Sequence, residues 1–277
     1  MPLCFYCLNR LLMTSTVLVC TLHDPHADMA EQARRVFPTL GGIFARVCVR
    51  ASEITHPELL ELLQAAGAAV DNRPAPAGDG KKLGLARSEA VALGLQTRAQ
   101  FLLYCDFDRA LHWAEHYPAE LAKTAELVQA FDFTVLGRTP RAWQTHPRVQ
   151  RDTEGIINEV FRLVTGQGWD VGAGARGLSQ RAAQAILTGC HDENLSTDVT
   201  WPLYLRDLDP TMTVYTQTCI LTEGLEFETP DRHTQAVQAA GGTEAWLEQF
   251  DADPLRWVER LELAGGHLRA MLPYMRR

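Results

Sequence analysis

The sequence predicts an α/β protein built on a mostly parallel sheet flanked by helices. Three observations carry that reading. Short apolar, β-branched runs alternate with segments of helical length through the first half of the chain. The segments between those runs are long enough for right-handed crossovers between parallel strands. The run Phe101-Leu102-Leu103-Tyr104-Cys105 is apolar throughout, as expected of a strand covered on both faces, and it ends abruptly in Asp106-Phe107-Asp108.

Taken in order, Thr16 to Leu22 reads as the first strand. A helix follows from an Asp28 cap to Phe37 and is expected to stop before Pro38. Gly42 to Val49 is the second strand. Thr55 to Ala66 is a helix with Leu59, Leu60, Leu62 and Leu63 on its apolar side and Gly67 as its stop. Ala68 to Val70 is a short strand. A Pro/Gly-rich loop, Arg73 to Gly80, precedes a helix from Lys82 to about Leu95, and the strand ending at Asp106 completes this half.

In the second half, Ala119 to Ala130 and Thr153 to Thr165 read as helices, Phe133 to Gly137 as a strand, and Gly166 to Gly177 as a glycine-rich loop. Ser179 caps a helix through Leu187. Ser196 caps a short helix carrying Asp198 and Trp201, and Thr213 to Leu221 alternates like a strand. The tail from Thr234 is helical in at least two pieces, broken at Gly241-Gly242 and Asp253-Pro254. Its apolar residues Trp246, Phe250, Trp257, Leu261 and Leu268 are expected to pack on the core, with a homodimer contact as the alternative. The expected division is an N-terminal extension (1–13) outside the fold, a main α/β domain (14–233) and a helical C-terminal appendage (234–277).

Composition narrows the function classes. A formal net charge of −8 over 277 residues argues against nucleic-acid binding through a broad basic surface. The 7 cysteines are odd in number and sit mostly in apolar runs, which fits free thiols in a reducing cytoplasm better than a disulfide framework. Cys4 and Cys7 form a CxxC pair with no second pair at zinc spacing. No stretch reaches membrane-spanning length without charges, so no transmembrane segment is expected.

The candidate chemistry centres on Asp106 and Asp108. In open α/β sheets ligands bind beyond the carboxyl ends of the strands. Two carboxylates delivered there make an oxygen-only site suited to Mg²⁺ or Mn²⁺ on a diphosphate. The bland alternative is a pair of solvated turn aspartates. Upstream, Lys82 and Arg87 open a helix after Gly78-Asp79-Gly80-Lys81, which combines cations with a helix N-terminus, the elements of a phosphate site.

Two lookalikes fit their contexts less well. His112-Trp113-Ala114-Glu115-His116 matches an inverted zincin pattern, but Pro118 cuts the helix short. Gly172-Ala173-Gly174-Ala175-Arg176-Gly177 matches a dinucleotide fingerprint in letters but lacks a strand before it.

With those residues in place, the order of motifs from Thr16 to His233 resembles the GT-A glycosyltransferases, in particular family-2-like and mannosylglycerate-synthase-like nucleotide-sugar transferases. The resemblance implies that Val17 to Thr21 ends against the nucleotide and that Gly80 to Arg87 is the helix leading to the D-x-D. It implies that Asp106 and Asp108 hold the metal, and that Thr197-Asp198 is the acidic motif facing the acceptor. His233, or by tighter spacing Glu226, would be the further metal ligand.

The expected function is a metal-dependent transfer of sugar from a UDP- or GDP-sugar to a small-molecule or glycan hydroxyl. Thr21, Lys82, Arg87 and Asp106 would contact the donor, and Asp198 would serve the acceptor hydroxyl. A non-catalytic nucleotide-binding scaffold and a sugar nucleotidyltransferase are the alternatives.

Overall fold

The computed structural model of the protein describes residues 14–74, 82–209, 214–228 and 234–275. Cys4 and Cys7 with the rest of 1–13, the phosphate-loop candidates Gly80 and Lys81, Thr213 and His233 lie outside the described residues.

The first half runs β1 (Thr14–Leu22), α1 (Ala30–Ile43), β2 (Phe44–Ala51), α2 (Pro57–Ala65), β3 (Ala69–Asp71), α3 (Leu83–Leu95) and β4 (Phe101–Tyr104). Next come α4 (Phe107–His116), α5 (Pro118–Leu127), β5 (Phe133–Arg138), α6 (Pro140–Thr145), α7 (Arg148–Thr165), β6 (Ala175–Ser179) and α8 (Gln180–Gly189). The chain continues with α9 (Thr197–Leu208), β7 (Gln217–Thr222), α10 (Thr234–Ala240), α11 (Thr243–Ala252) and α12 (Pro254–Met271).

The strands form one sheet in the order β3-β2-β1-β4-β6-β5-β7. β1 pairs parallel with β2 and with β4, setting Val19 beside Cys48 and Tyr104. Among the described strands only β6 runs antiparallel, with Gly177 opposite Leu103 and Thr134. Side chains of β1 alternate between two cores: Leu18 and Cys20 pack with Leu40, Leu63 and Trp113, while Val17 and Val19 pack with Phe161, Trp201 and Leu203. Helices therefore cover both faces, which is why the strands read as continuous apolar runs. No described helix is long and apolar enough to cross a membrane.

The predicted class holds: a mostly parallel sheet, flanking helices and a helical tail in three pieces. Five local readings need correction. The first helix does not start from an Asp28 cap: Met29 precedes α1 and makes no side-chain cap bond. Pro38 lies inside α1, which runs on to Ile43 because Leu40 and Ile43 bury against the sheet. α7 starts at Arg148, five residues before the expected Thr153, with Val149 and Gln150 buried in its first turn. Ser196 precedes α9 but its side chain makes no cap bond. The stretch expected as a glycine-rich loop contains β6, whose residues are all buried. Its glycine is needed there, because a Cβ on Gly177 would meet Val128 Cβ at 2.6 Å.

The tail is not remote from the rest. α12 packs against α7 and α9, and Ala264 and Met271 join the second core. Near the start of α3, Gly84 lies so close to the 193–194 backbone that an added Cβ would sit 2.6 Å from the Glu193 carbonyl carbon. Leu85 also donates to the Glu193 carbonyl at 3.2 Å. Gly84→Ala is expected to lower Tm by several degrees, from an overpacking cost of ~1–3 kcal/mol. Gly155→Ala, inside α7 with nothing within 4 Å of the new methyl, is expected to raise it by a degree or more. Thermal melts of both variants check the pair.

Candidate functional site

Parallel pairing brings the carboxyl ends of β1 and β4 to one edge, and the antiparallel β6 brings its amino end to that same edge. Asp106 follows β4 and is the residue immediately before α4, in extended conformation. An aspartate there would ordinarily cap the helix, but the Asp106 side chain makes no cap bond. Its Oδ1 instead accepts from Thr21 Oγ1 at 2.6 Å and from the Tyr104 hydroxyl at 2.7 Å. The turn-aspartate alternative therefore fails for Asp106: two side chains from adjacent strands hold it in place. Asp108 lies in the first turn of α4 and accepts from the Arg109 backbone N–H at 2.9 Å. An acid at that position suits the helix dipole.

Beside this pair lies a buried ion cluster. Asp198 Oδ1 accepts from Arg87 Nη1 at 2.8 Å and from Arg176 Nη2 at 3.2 Å, and its Oδ2 is 3.5 Å from His267 Nε2. All four residues are at most 5 % exposed. Burial alone would push the Asp198 carboxyl upward, but Arg87, His267 and Arg176 outweigh it and hold the group well below the usual carboxylate range. Burial works against a charged His267, yet its pairing with Asp198 raises it overall. The Nε atoms of Arg87 and Arg176 are buried with no hydrogen-bond partner.

A cavity of about 150 Å³ joins these elements. Asp106, Arg87, Arg109, Asp198, Arg260 and His267 line it. The glycine-rich turn Gly172-Ala173-Gly174 supplies part of its wall, and the Ala173 carbonyl accepts from Arg109 Nη1 at 3.0 Å. Gly174 takes φ +75°, a backbone that favours glycine, with its Cβ position 3.6 Å from Arg87. The literal G-x-G-x-x-G is thus a turn followed by an antiparallel strand rather than the expected loop, and no parallel strand leads into it.

The remaining sequence candidates separate. Lys82 pairs with Glu193 at 2.5 Å on the surface and does not line the cavity, whereas Arg87 does. Glu226 lies in a different group: it accepts from His112 Nε2 and the Tyr117 hydroxyl, both at 3.1 Å, and from Arg141 Nη1 at 2.6 Å. Burial would raise the Glu226 carboxyl, but Arg141 and His112 bring it below its ordinary range. The H-x-x-E-H residues serve that group and the α4 surface, and α4 ends at His116 as Pro118 implied. Among the described residues, no three His, Cys, Asp or Glu side chains stand close enough together to hold a metal.

Sequence reading missed Tyr104, Arg176, Arg260 and His267. Tyr104, two residues before Asp106, and Arg176, inside the glycine-rich stretch, lay in segments with a local signal.

No family model matches the chain, and no curated protein does. Similar solved structures include glucosyl-3-phosphoglycerate synthase from Mycobacterium tuberculosis with Mg²⁺ and uridine diphosphate (13 % identity, TM-score 0.48, covering 80 % of this chain and 75 % of that one). A second, of the same enzyme with uridine diphosphate, gives 12 % identity and TM-score 0.48 over 90 % of this chain and 85 % of that one. A third, with Mn²⁺, uridine-diphosphate-glucose and phosphoglyceric acid, gives 14 % and 0.47 over 79 % and 75 %. Nothing about the chemistry of this chain follows from values at that level.

The His267–Asp198 pair makes a pH prediction. The folded-state pKa of His267 is raised above its ordinary 6.5, so the pair's contribution is complete below pH 6.5 and fades as pH climbs through the folded value. Asp198, depressed when folded, contributes above its unfolded pKa and loses that contribution only on strong acidification. Melts of wild type and His267→Gln from pH 5 to 9 are expected to show a Tm gap that shrinks as pH rises. A pH-independent gap would exclude a charged His267.

Proposed function

We propose that this protein is a metal-dependent glycosyltransferase that moves a sugar from a UDP- or GDP-sugar to a hydroxyl of a small-molecule or glycan acceptor. One observation carries the reading. A carboxylate freed from capping, Asp106, shares a cavity with a buried cluster in which two guanidiniums and His267 face a single carboxylate. Uncompensated buried charge costs several kcal/mol per ion, and a diphosphate would supply the missing anion. The cavity is smaller than the ~300–1,000 Å³ of sites that enclose a whole drug-sized ligand, so it suits one end of a nucleotide sugar.

Asp106 and Asp108 fit Mg²⁺ or Mn²⁺ in one particular way. Mg²⁺ is commonly bound by one or two carboxylates plus substrate phosphates, and two carboxylates are what this strand end offers. When bound, such an ion would offset charge developing on the departing diphosphate. Thr21 and Tyr104 would fix the Asp106 carboxylate in its orientation. Arg87 would turn its unpartnered Nε to a phosphate oxygen. Asp198, held by three cations, is a poor proton acceptor, and its role in this reading is to position Arg87.

A nucleotidyltransferase is less well supported. The loop after β1 is His23-Asp24-Pro25-His26-Ala27-Asp28, and Asp24 spends its carboxylate on the backbone N–H groups of Asp28 and Met29. The described cysteines are free thiols, which suits the cytoplasm, where nucleotide sugars are made.

Titration calorimetry of UDP and GDP, with and without Mn²⁺, tests the reading. The wild type is expected to bind one of them at least tenfold more tightly with metal, and Asp106→Ala to lose that gain. Asp108→Ala is expected to weaken it by about tenfold. Equal binding with and without metal would contradict the proposal. Hydrolysis of UDP-glucose and GDP-mannose then separates an enzyme from a scaffold.

A further inference from the structure

Helix α12 buries one side and exposes an apolar stripe on the other. Ala264, His267 and Met271 face inward. On the opposite side Leu255 (58 % exposed), Val258 (53 %) and Leu261 (52 %) stand out to solvent. Leu272 (60 %) and Met275 (38 %) extend the row through the turn Leu272–Tyr274. Scattered surface leucines need no explanation, but five large apolar side chains along one short stretch mark a contact surface. Of the tail residues expected to pack on the core, Leu268 does so and Leu261 does not.

The stripe has the spacing of a helix-pairing seam. Leu255, Val258, Glu262, Gly265, Arg269 and Leu272 recur at alternating intervals of three and four residues. Two charges sit inside this seam, Glu262 and Arg269, both exposed. Among the described residues neither side chain has a hydrogen-bond or ion-pair partner. By contrast Arg256 and Glu259, beside the seam, pair with each other at 3.1 Å. Glycine inside a helix is destabilising relative to alanine, yet Gly265 and Gly266 stand at the middle of the row. A Cβ on Gly266 would meet nothing within 4 Å, and one on Gly265 would meet only the Arg269 side chain, at 3.4 Å. Packing within the chain therefore requires neither glycine.

One partner fits this pattern, a second copy of the same helix. Two α12 helices laid antiparallel about a two-fold axis near Gly265 set Val258 opposite Leu272 of the second copy and Leu255 opposite Met275. The same pairing brings Glu262 to Arg269 of the second copy, and two-fold symmetry makes each contact twice. The unpaired charges thus become reciprocal ion pairs, and the glycines let the two backbones approach at the axis. The stripe is its own complement in shape and in charge. The cavity stays accessible, because Arg260, Leu263, Ala264 and His267 line it from the other side of α12.

We propose that this protein forms a two-fold symmetric dimer through the exposed stripe of α12, with Glu262 of each copy paired to Arg269 of the other. An interface resting on one helix pair falls near the ~1,200 Å² lower end of specific complexes, so a Kd on the order of 10 µM is expected.

Sedimentation of the full chain over a concentration series, with circular dichroism to confirm folding, tests this. Glu262→Arg and Arg269→Glu each oppose like charges across the axis and are expected to raise the dimer Kd at least about tenfold. A mixture of the two single variants restores opposite charges at both contacts. It is expected to dimerise within about threefold of wild type, as is the double variant. Val258→Asp reads the same surface, is expected to give a monomer, and serves if a charge variant does not fold. A wild type that remains monomeric up to about 200 µM overturns the proposal. So does a dimer that these substitutions leave unchanged, or a loss in the single variants that their mixture does not recover.

Discussion

The Asp198 carboxylate is the contact on which the site's geometry depends. It gathers Arg87 from α3, Arg176 from β6 and His267 from α12, drawing three separate stretches of chain onto one buried charge. Removing one partner of a buried ion pair typically costs 3–5 kcal/mol, because the other charge is left uncompensated. The cluster therefore locks the C-terminal helix against the edge of the sheet where β1 and β4 end. It also turns α12 from an outlying tail into a wall of the cavity, through Arg260, Leu263, Ala264 and His267.

Sheet direction explains why the acidic and cationic halves of the site meet. β1 and β4 run parallel, so Thr21 and Asp106 emerge at the same edge. β6 runs against them, so its beginning, with Arg176 and the turn before it, arrives at that edge too. A single reversed strand thus lets the sheet deliver a carboxylate and a guanidinium to neighbouring positions. Tyr104 joins the halves, bonding Asp106 through its hydroxyl while its ring lies 5.6 Å from the Arg87 guanidinium.

Features with a local signature were legible in the sequence. Asp106 and Asp108 showed as an abrupt end to an apolar run, Arg87 as a cation on the preceding helix, and Ser179 as a cap that does accept from Ala182 N–H. β6 was illegible because Ala-Arg-Gly-Leu-Ser lacks the β-branched residues that mark strands, its glycine being there to let Val128 approach. Pro38 misled because tertiary burial of Leu40 and Ile43 outweighed one missing backbone donor. His267 and Arg260 carried no signal at all. Their partners Asp198 and Glu154 lie 69 and 106 residues away, and no periodicity encodes such a meeting.

Glu226 and Glu228 show the same limit on a finer scale. Both lie on one short segment after β7, two residues apart, and sequence gives no means of choosing between them. In the fold Glu226 joins His112, Tyr117 and Arg141, while Glu228 approaches Arg109.

If a diphosphate completes the charge of the buried cluster, ligand stabilisation must run through Arg87. The direct measurement is the Tm rise on adding Mn²⁺ with UDP or GDP, whichever binds, at about 100 times its Kd, in wild type and in Arg87→Met. Such saturation stabilises the wild type by about 2.7 kcal/mol, a rise of several degrees. Arg87→Met is predicted to show less than half that rise at the same ligand concentration. An equal rise in both proteins would contradict the assignment of the cluster to the diphosphate.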